Sequence, residues 1–167
     1  MLRTASMLTR FEYRLAERLL EAPWFVRSPR KQRLTMHLFR RCARAGHVDA
    51  LSRYGIMLFH SGASPQDKAA GARFVIRAAE AGDPHAQFQA GCIYERGCAQ
   101  FVRREDRAVT WYARAAEAGH EEAVRRLARA YRHGELGLPT NIERAGDWEQ
   151  RIDSHAFQLD GMVAMTH

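Results

Sequence analysis

Long apolar runs are missing from this chain of 167 residues, although 46% of them are hydrophobic. No stretch approaches the roughly 18 consecutive apolar residues of a membrane-spanning helix. Cysteine is scarce. Cys42, Cys92 and Cys98 cannot all pair with one another, and none forms a Cys-x-x-Cys. The count suits free thiols in a reducing, cytoplasmic setting rather than a disulfide scaffold. Lysine is nearly absent, since Lys31 and Lys68 are the only two among 26 cations. Positive charge is therefore guanidinium, which binds carboxylate or phosphate through paired N–H groups and stacks on aromatic rings. Residues 1–10 lack the apolar core and small-residue cleavage site of a secretory signal. Catalytic patterns are missing too. His120-Glu-Glu-Ala-Val124 has Val where a zinc-protease helix needs its second His. No glycine-rich phosphate loop occurs, and Cys92, Cys98 and His85 have no fourth partner at ligand spacing. No enzyme, metal or cofactor is expected.

What the chain does have is self-similarity. Ala-Ala-Glu-Ala-Gly stands at 78–82 and again at 115–119, with a weaker Ala-Arg-Ala-Gly at 43–46. With the closing glycines Gly46, Gly82 and Gly119 as a ruler, a large apolar residue precedes each by eight positions: Leu38, Phe74 and Trp111. Trp148 continues the series. Four residues after each glycine stands Ala50, Ala86 or Ala123; nine after, Gly55, Gly91 or Ala128; twelve after, Leu58, Tyr94 or Tyr131. A period of 36 to 37 residues with helical spacing inside it predicts two helices per repeat. The small residues at four and nine would let a neighbouring helix approach closely, because a mid-helix glycine otherwise costs about 1 kcal/mol against alanine.

The punctuation fits. Ser64-Pro65 with Asp67, Gly82-Asp83-Pro84, Ser28-Pro29 and Pro139-Thr-Asn141 each read as a helix start, and the closing glycines as left-handed caps. Ahead of the clear repeats, residues 9–22 form an amphipathic helix with Phe11, Leu15, Leu19 and Ala22 on one side. Pro23–Val26 is an apolar connector. Residues 1–46 thus make a degenerate, basic capping pair, 47–82, 83–119 and 120–155 three repeats, and 156–167 a tail that docks Phe157 and Leu159 or frays. Charge follows this division. Residues 1–46 carry 11 Lys and Arg against 3 acids, while 47–167 are nearly neutral at 15 against 16.

These residues resemble the Sel-one-like repeat (SLR) family, a relative of the tetratricopeptide repeats. The second repeat carries the resemblance best, through Ala86, Gly91, Tyr94, Gly97, Arg107-Ala108, Trp111-Tyr112, Ala115-Ala116 and Gly119-His120. The resemblance spans about 47–152. It implies an all-α, right-handed α-α superhelix (a solenoid) of about four antiparallel helix pairs, and non-enzymatic scaffold or adaptor work of a kind common in bacteria. First helices would line the concave face.

On that reading the stripe opposite the packed one is where recognition belongs. It grades from Arg53, Ile56 and Phe59 through Phe88 and Arg96 to Arg125, Arg126, Arg129 and Arg132. Ile56 and Phe88 are expected to be exposed there. A protein or peptide segment with apolar and acidic residues suits it, through desolvated area and charge-assisted hydrogen bonds. The alternative is a basic module on 27–44, where Arg30, Arg33, Arg40 and Arg44 share a face that could meet nucleic acid or an anionic membrane. No base-reading motif accompanies it. His120, Trp111, Tyr112 and Trp148 read as structural.

Overall fold

The three closing glycines decide where helices stop. Gly46, Gly82 and Gly119 have φ of 88°, 97° and 87°, a left-handed conformation that carries no Cβ penalty only in glycine. Around each, the same pair of hydrogen bonds recurs. Gly46 N–H donates to Ala43 O and His47 N–H to Cys42 O; Gly82 to Ala79 and Asp83 to Ala78; Gly119 to Ala116 and His120 to Ala115. This 6→1 and 5→2 pattern is the Schellman motif, and it satisfies carbonyls that the helix end would leave bare. A Cβ on Gly82 would meet nothing within 4 Å, so conformation rather than space requires glycine there.

The computed structural model describes residues 7–21 and 28–151. The connector 22–27, with Arg27, and the tail from 152 onward lie outside the described residues. The helices are α1 (Met7–Glu21), α2 (Pro29–Arg44), α3 (Val48–Ser61), α4 (Pro65–Glu80), α5 (Pro84–Arg96), α6 (Glu105–Glu117) and α7 (Glu121–His133). An eighth, α8, runs over 142–151 to the limit of the described residues, which contain no strand.

Helix starts obey the residues that precede them. Ser64 and Asp67 form a full capping box at α4, the Ser64 hydroxyl accepting from Asp67 N–H and Asp67 accepting from Ser64 N–H. Asp83 accepts from Ala86 N–H at 2.6 Å at the head of α5, and Asn141 from Arg144 N–H at 2.8 Å at the head of α8. Ser28 differs: Pro29 occupies the first turn of α2, but the Ser28 side chain makes no cap bond. The loops that join paired helices also repeat. Arg104 N–H donates to Tyr94 O and Asn141 N–H to Tyr131 O, each at 2.8 Å. Each bond clips the start of a second helix to the end of the first.

The chain divides into two compact units, Met1–Ala86 and Gln87–His167, the division falling in the first turn of α5. In the first unit α2 packs on α1 and α3, and α3 packs on α4. The α3–α4 pair is held at backbone distance by two glycines. A Cβ on Gly55 would stand 2.8 Å from Val75 N and 2.9 Å from Phe74 Cβ, and one on Gly71 would overlap the backbone of Phe59. Pairing 55 with 75 and 59 with 71 makes the two helices antiparallel. The close approach expected of Gly55 is present, and Gly71 is its counterpart. In the second unit Gly91 lies under the Tyr112 ring, 2.5 Å from where a Cβ would sit, and Tyr112 is wholly buried.

One expectation about packing changes. The inner side of α1 is Thr9, Tyr13 and Ala16, while Phe11 and Leu15 face outward. Tyr13 supplies the reason. Its ring meets Phe39 edge-on at 5.9 Å and stacks on His47 at 4.3 Å, while the Cys42 thiol donates to Thr9 O. These contacts fix which side of α1 turns in, and the leucine side is left over. The large residue eight before each glycine is half-buried. Trp111 and Trp148 are covered from outside by the guanidinium groups of Arg114 and Arg151 at 4.9 and 4.5 Å.

Candidate functional site

The repeat position seven residues after the closing glycine holds Arg53 in α3 and Arg126 in α7. Both reach a glutamate that also receives a tyrosine hydroxyl. In the first unit, Tyr13 Oη donates to Glu17 at 2.9 Å. Arg53 Nε donates to Tyr13 Oη at 3.0 Å, and its terminal nitrogen stands 3.0 Å from Glu17. Burial and the adjoining Glu17 carboxylate push the Tyr13 phenol far above its ordinary range, so it remains a donor.

This Tyr–Glu–Arg triad forms one wall of a cavity of about 670 Å³, lined also by Leu20, Asp49, Ser52, Ile56, Met57, Asp83 and His85. Ser52 is buried and donates to Asp83 at 2.9 Å, tying Asp83 to α3. Leu20, Ile56 and Met57 are its aliphatic lining, and Asp49, which also lines it, is exposed. Of the residues expected from sequence, the cavity gathers Arg53 and Ile56. Phe59 is not in its lining; its backbone lies against Gly71 and its ring meets His60 edge-on at 5.2 Å. Ile56 is half-buried rather than exposed.

In the second unit the same position is closed. Tyr112 Oη donates to Glu95 at 2.6 Å, and Arg126 grips both Glu95 oxygens at 2.6 and 3.2 Å. A further nitrogen of Arg126 reaches Glu135 at 2.6 Å, which also receives Arg129 at 3.1 Å. Burial acts to raise the Glu95 carboxyl, but the Arg126 and Tyr112 hydrogen bonds outweigh it and hold it below the usual range. Glu135 is lowered by the same two-sided balance, with Arg126 and Arg129 as its partners. Arg125 pairs with Glu121 at 2.8 Å and Arg132 with Glu149 at 2.7 Å. The four arginines of α7 are therefore each matched to a carboxylate. Arg96 is exposed on α5.

Phe88, expected to stand exposed, is half-buried. Its ring stacks on His120 at 4.6 Å and lies 5.6 Å from Tyr112. His120 stacks on Phe88 as His47 does on Tyr13, so the histidine that follows Gly46 and Gly119 is a packing plate, whereas Asp83 after Gly82 caps α5. Glu135 was invisible to the stripe argument because it belongs to the loop after α7. The left-handed Gly134, φ 67°, turns the chain back so that Glu135 meets that helix. Tyr13, Glu17 and Leu20 were missed because α1 was read with its other side inward.

Among the described residues no group of three or more His, Cys, Asp or Glu is placed to hold a metal ion. No described helix is long and apolar enough to cross a membrane. Cys42 is buried, Cys92 and Cys98 are half-buried, and all three are free thiols.

Paired helices, small-residue crossings and Schellman stops at a fixed period define an all-α helical-repeat protein. The profile of the Sel1 repeat family matches residues 48–83, 84–120 and 121–150, more than half of the sequence, and the chain belongs to that family. Its fold matches a Sel1 repeat protein from Oxalobacter formigenes with a TM-score of 0.72 at 23% identity, covering 86% of this chain and 56% of that one. It also matches c5321, a protective antigen of uropathogenic Escherichia coli strains displaying an SLR fold, with a TM-score of 0.74 at 24% identity over 88% of this chain and 30% of that one. The chain thus spans about half and about a third of the lengths of these two proteins. Comparison with curated proteins returns no match. Sel1 repeat proteins generally serve as protein-interaction scaffolds, and their helical-repeat fold is typically non-catalytic.

Proposed function

We propose that this protein is a non-enzymatic adaptor that holds an extended segment of a partner protein on the first helices of its repeats, with the cavity of the first unit as the anchor site. The observation that carries this reading is the cavity itself. It offers about 670 Å³, near the middle of the range for ligand pockets, with an aliphatic lining and a few fixed polar groups. Arg53 is held by Tyr13 and Glu17 before any ligand arrives, so little side-chain entropy is lost on binding.

An aliphatic or aromatic side chain of the partner enters against Leu20, Ile56 and Met57. Flanking polar groups meet Arg53 and Asp49. In the second unit, taken by itself, Arg96 and the outer members of the stripe, Arg125, Arg129 and Arg132, offer contacts to acidic residues of a partner. Those contacts are weak, because each α7 cation already has a carboxylate and exchanging one exposed ion pair for another gains little. Phe59 in the first unit, and Phe88 and Arg126 in the second, are half-buried and serve packing rather than contact.

The test is selection of peptides from a displayed random library on the intact chain, followed by titration against variants. Ile56→Glu places a charge in the cavity lining and is expected to abolish binding of the selected peptides. A library that yields no binder, or binders indifferent to Ile56→Glu and Met57→Glu, would sink the reading.

A further inference from the structure

The N-terminal hairpin turns its apolar side chains outward. Met7 is 86% exposed, Leu8 64%, Phe11 66%, Leu15 41%, and Leu34 on α2 is 51% exposed.

The register of the two helices places these residues on one surface. Arg41 meets Glu12 at 2.8 Å, marking the α1–α2 seam. Leu8 and Leu15 share Glu12's stripe at spacings of four and three. Leu34 shares Arg41's stripe at a spacing of seven. Apolar positions from both helices thus border the same seam.

The charge on the hairpin is net positive and comes from α2, since α1 balances Arg10, Arg14 and Arg18 against Glu12, Glu17 and Glu21. α2 carries six cations and no acid over Pro29–Arg44. On α1, Arg10, Arg14 and Arg18 each follow an apolar residue by three positions: Met7, Phe11 and Leu15. All three arginines are exposed, and side chains of this kind can lay an aliphatic stem on apolar surface while the guanidinium stays in water.

We propose that α1 and α2 form a docking face for an anionic lipid surface, with Phe11, Leu15 and Leu34 entering the boundary between headgroups and acyl chains. Protruding aliphatic and aromatic residues rimmed by arginine are the arrangement of an interfacial helix, and the acid-free α2 supplies the attraction to negative headgroups. Charge decides against the other occupants. A second copy docked face to face would set six α2 cations against the same six. Nucleic acid would satisfy the arginines but leave the apolar stripe in water.

The experiment is sedimentation of the full chain with vesicles of phosphatidylcholine plus phosphatidylserine, against vesicles of phosphatidylcholine alone. Binding is expected only to the former, weakening as salt rises. Phe11→Glu/Leu15→Glu is expected to weaken it roughly tenfold or more, and Arg30→Glu/Arg33→Glu to weaken it and flatten the salt dependence. All four positions are exposed, so helicity and thermal midpoint should match the wild type. Absence of vesicle binding overturns the proposal. So does binding that Phe11→Glu/Leu15→Glu leaves intact, which would be charge attraction alone. A concentration-dependent dimer dissolved by that double variant, without vesicle binding, overturns it in favour of a second copy.

Discussion

Arg53 and Arg126 occupy the same repeat position and join the same kind of Tyr–Glu–Arg triad, yet their surroundings differ. The Arg53 side chain is 46% exposed beside an open cavity, whereas that of Arg126 is 17% exposed. The difference comes from one residue of the following loop. Glu135 folds back on α7 and consumes Arg126 and Arg129 internally. Arg53 has Glu17 as its ion-pair partner and feels the Glu21 carboxylate of the same helix, but its side chain stays half-exposed. A repeat position therefore becomes structural or available for recognition according to what covers it, not according to its own identity.

The largest effect that separates the two units comes from their glycines. Gly71→Ala would drive a methyl group into the Phe59 backbone, which cannot move without parting α3 from α4. A loss of about 3 kcal/mol is expected, with Gly91→Ala nearer 2 kcal/mol because its obstacle is a side-chain ring. Denaturant titration of each variant measures both, and equal losses would mean the close backbone approach is not special to the first unit.

Next in size is the contrast between the triads. Arg126→Met leaves a half-buried Glu95 and Glu135 without their main counter-charge, and about 2 kcal/mol of stability should be lost. Arg53→Met should lose 1 kcal/mol or less, since its charge is largely solvated. Comparable losses would erase the distinction drawn between a closed and an open site.

Acid should expose the same contrast more gently. Glu95 and Glu135 have native pKa values held below the ordinary carboxylate range. Their ionised forms therefore stabilise the fold at neutral pH, and that contribution disappears as pH falls from about 4 through the lower native values. Thermal midpoints of the wild type should drop over that window, and Glu95→Gln should flatten the slope. An unchanged slope in Glu95→Gln would remove Glu95 from the account.

Much of the fold was legible in sequence because its rules are local. The 36-residue spacing of Gly46 and Gly82, the capping box at Ser64, and Gly55 as a close-approach site all follow from backbone conformation or steric size. The site was less legible. Helical spacing put Arg53 and Ile56 on one stripe, but it could not tell which side of α1 turns inward. That choice rests on Tyr13 stacking with His47 and Phe39, contacts between segments more than twenty residues apart. Nor could a single-helix stripe reveal that Glu95, Glu135 and Glu149, all outside α7, neutralise Arg126, Arg129 and Arg132. Small residues fix local geometry, whereas charge at a surface is settled by distant partners.

The most direct test of the claim that recognition rests on the cavity of the first unit is calorimetric titration of one selected peptide into Ile56→Glu and into Arg125→Glu/Arg129→Glu. The cavity variant should lose affinity roughly tenfold or more, and the arginine variant about threefold or less. The reverse order would place recognition on α7 and contradict the account.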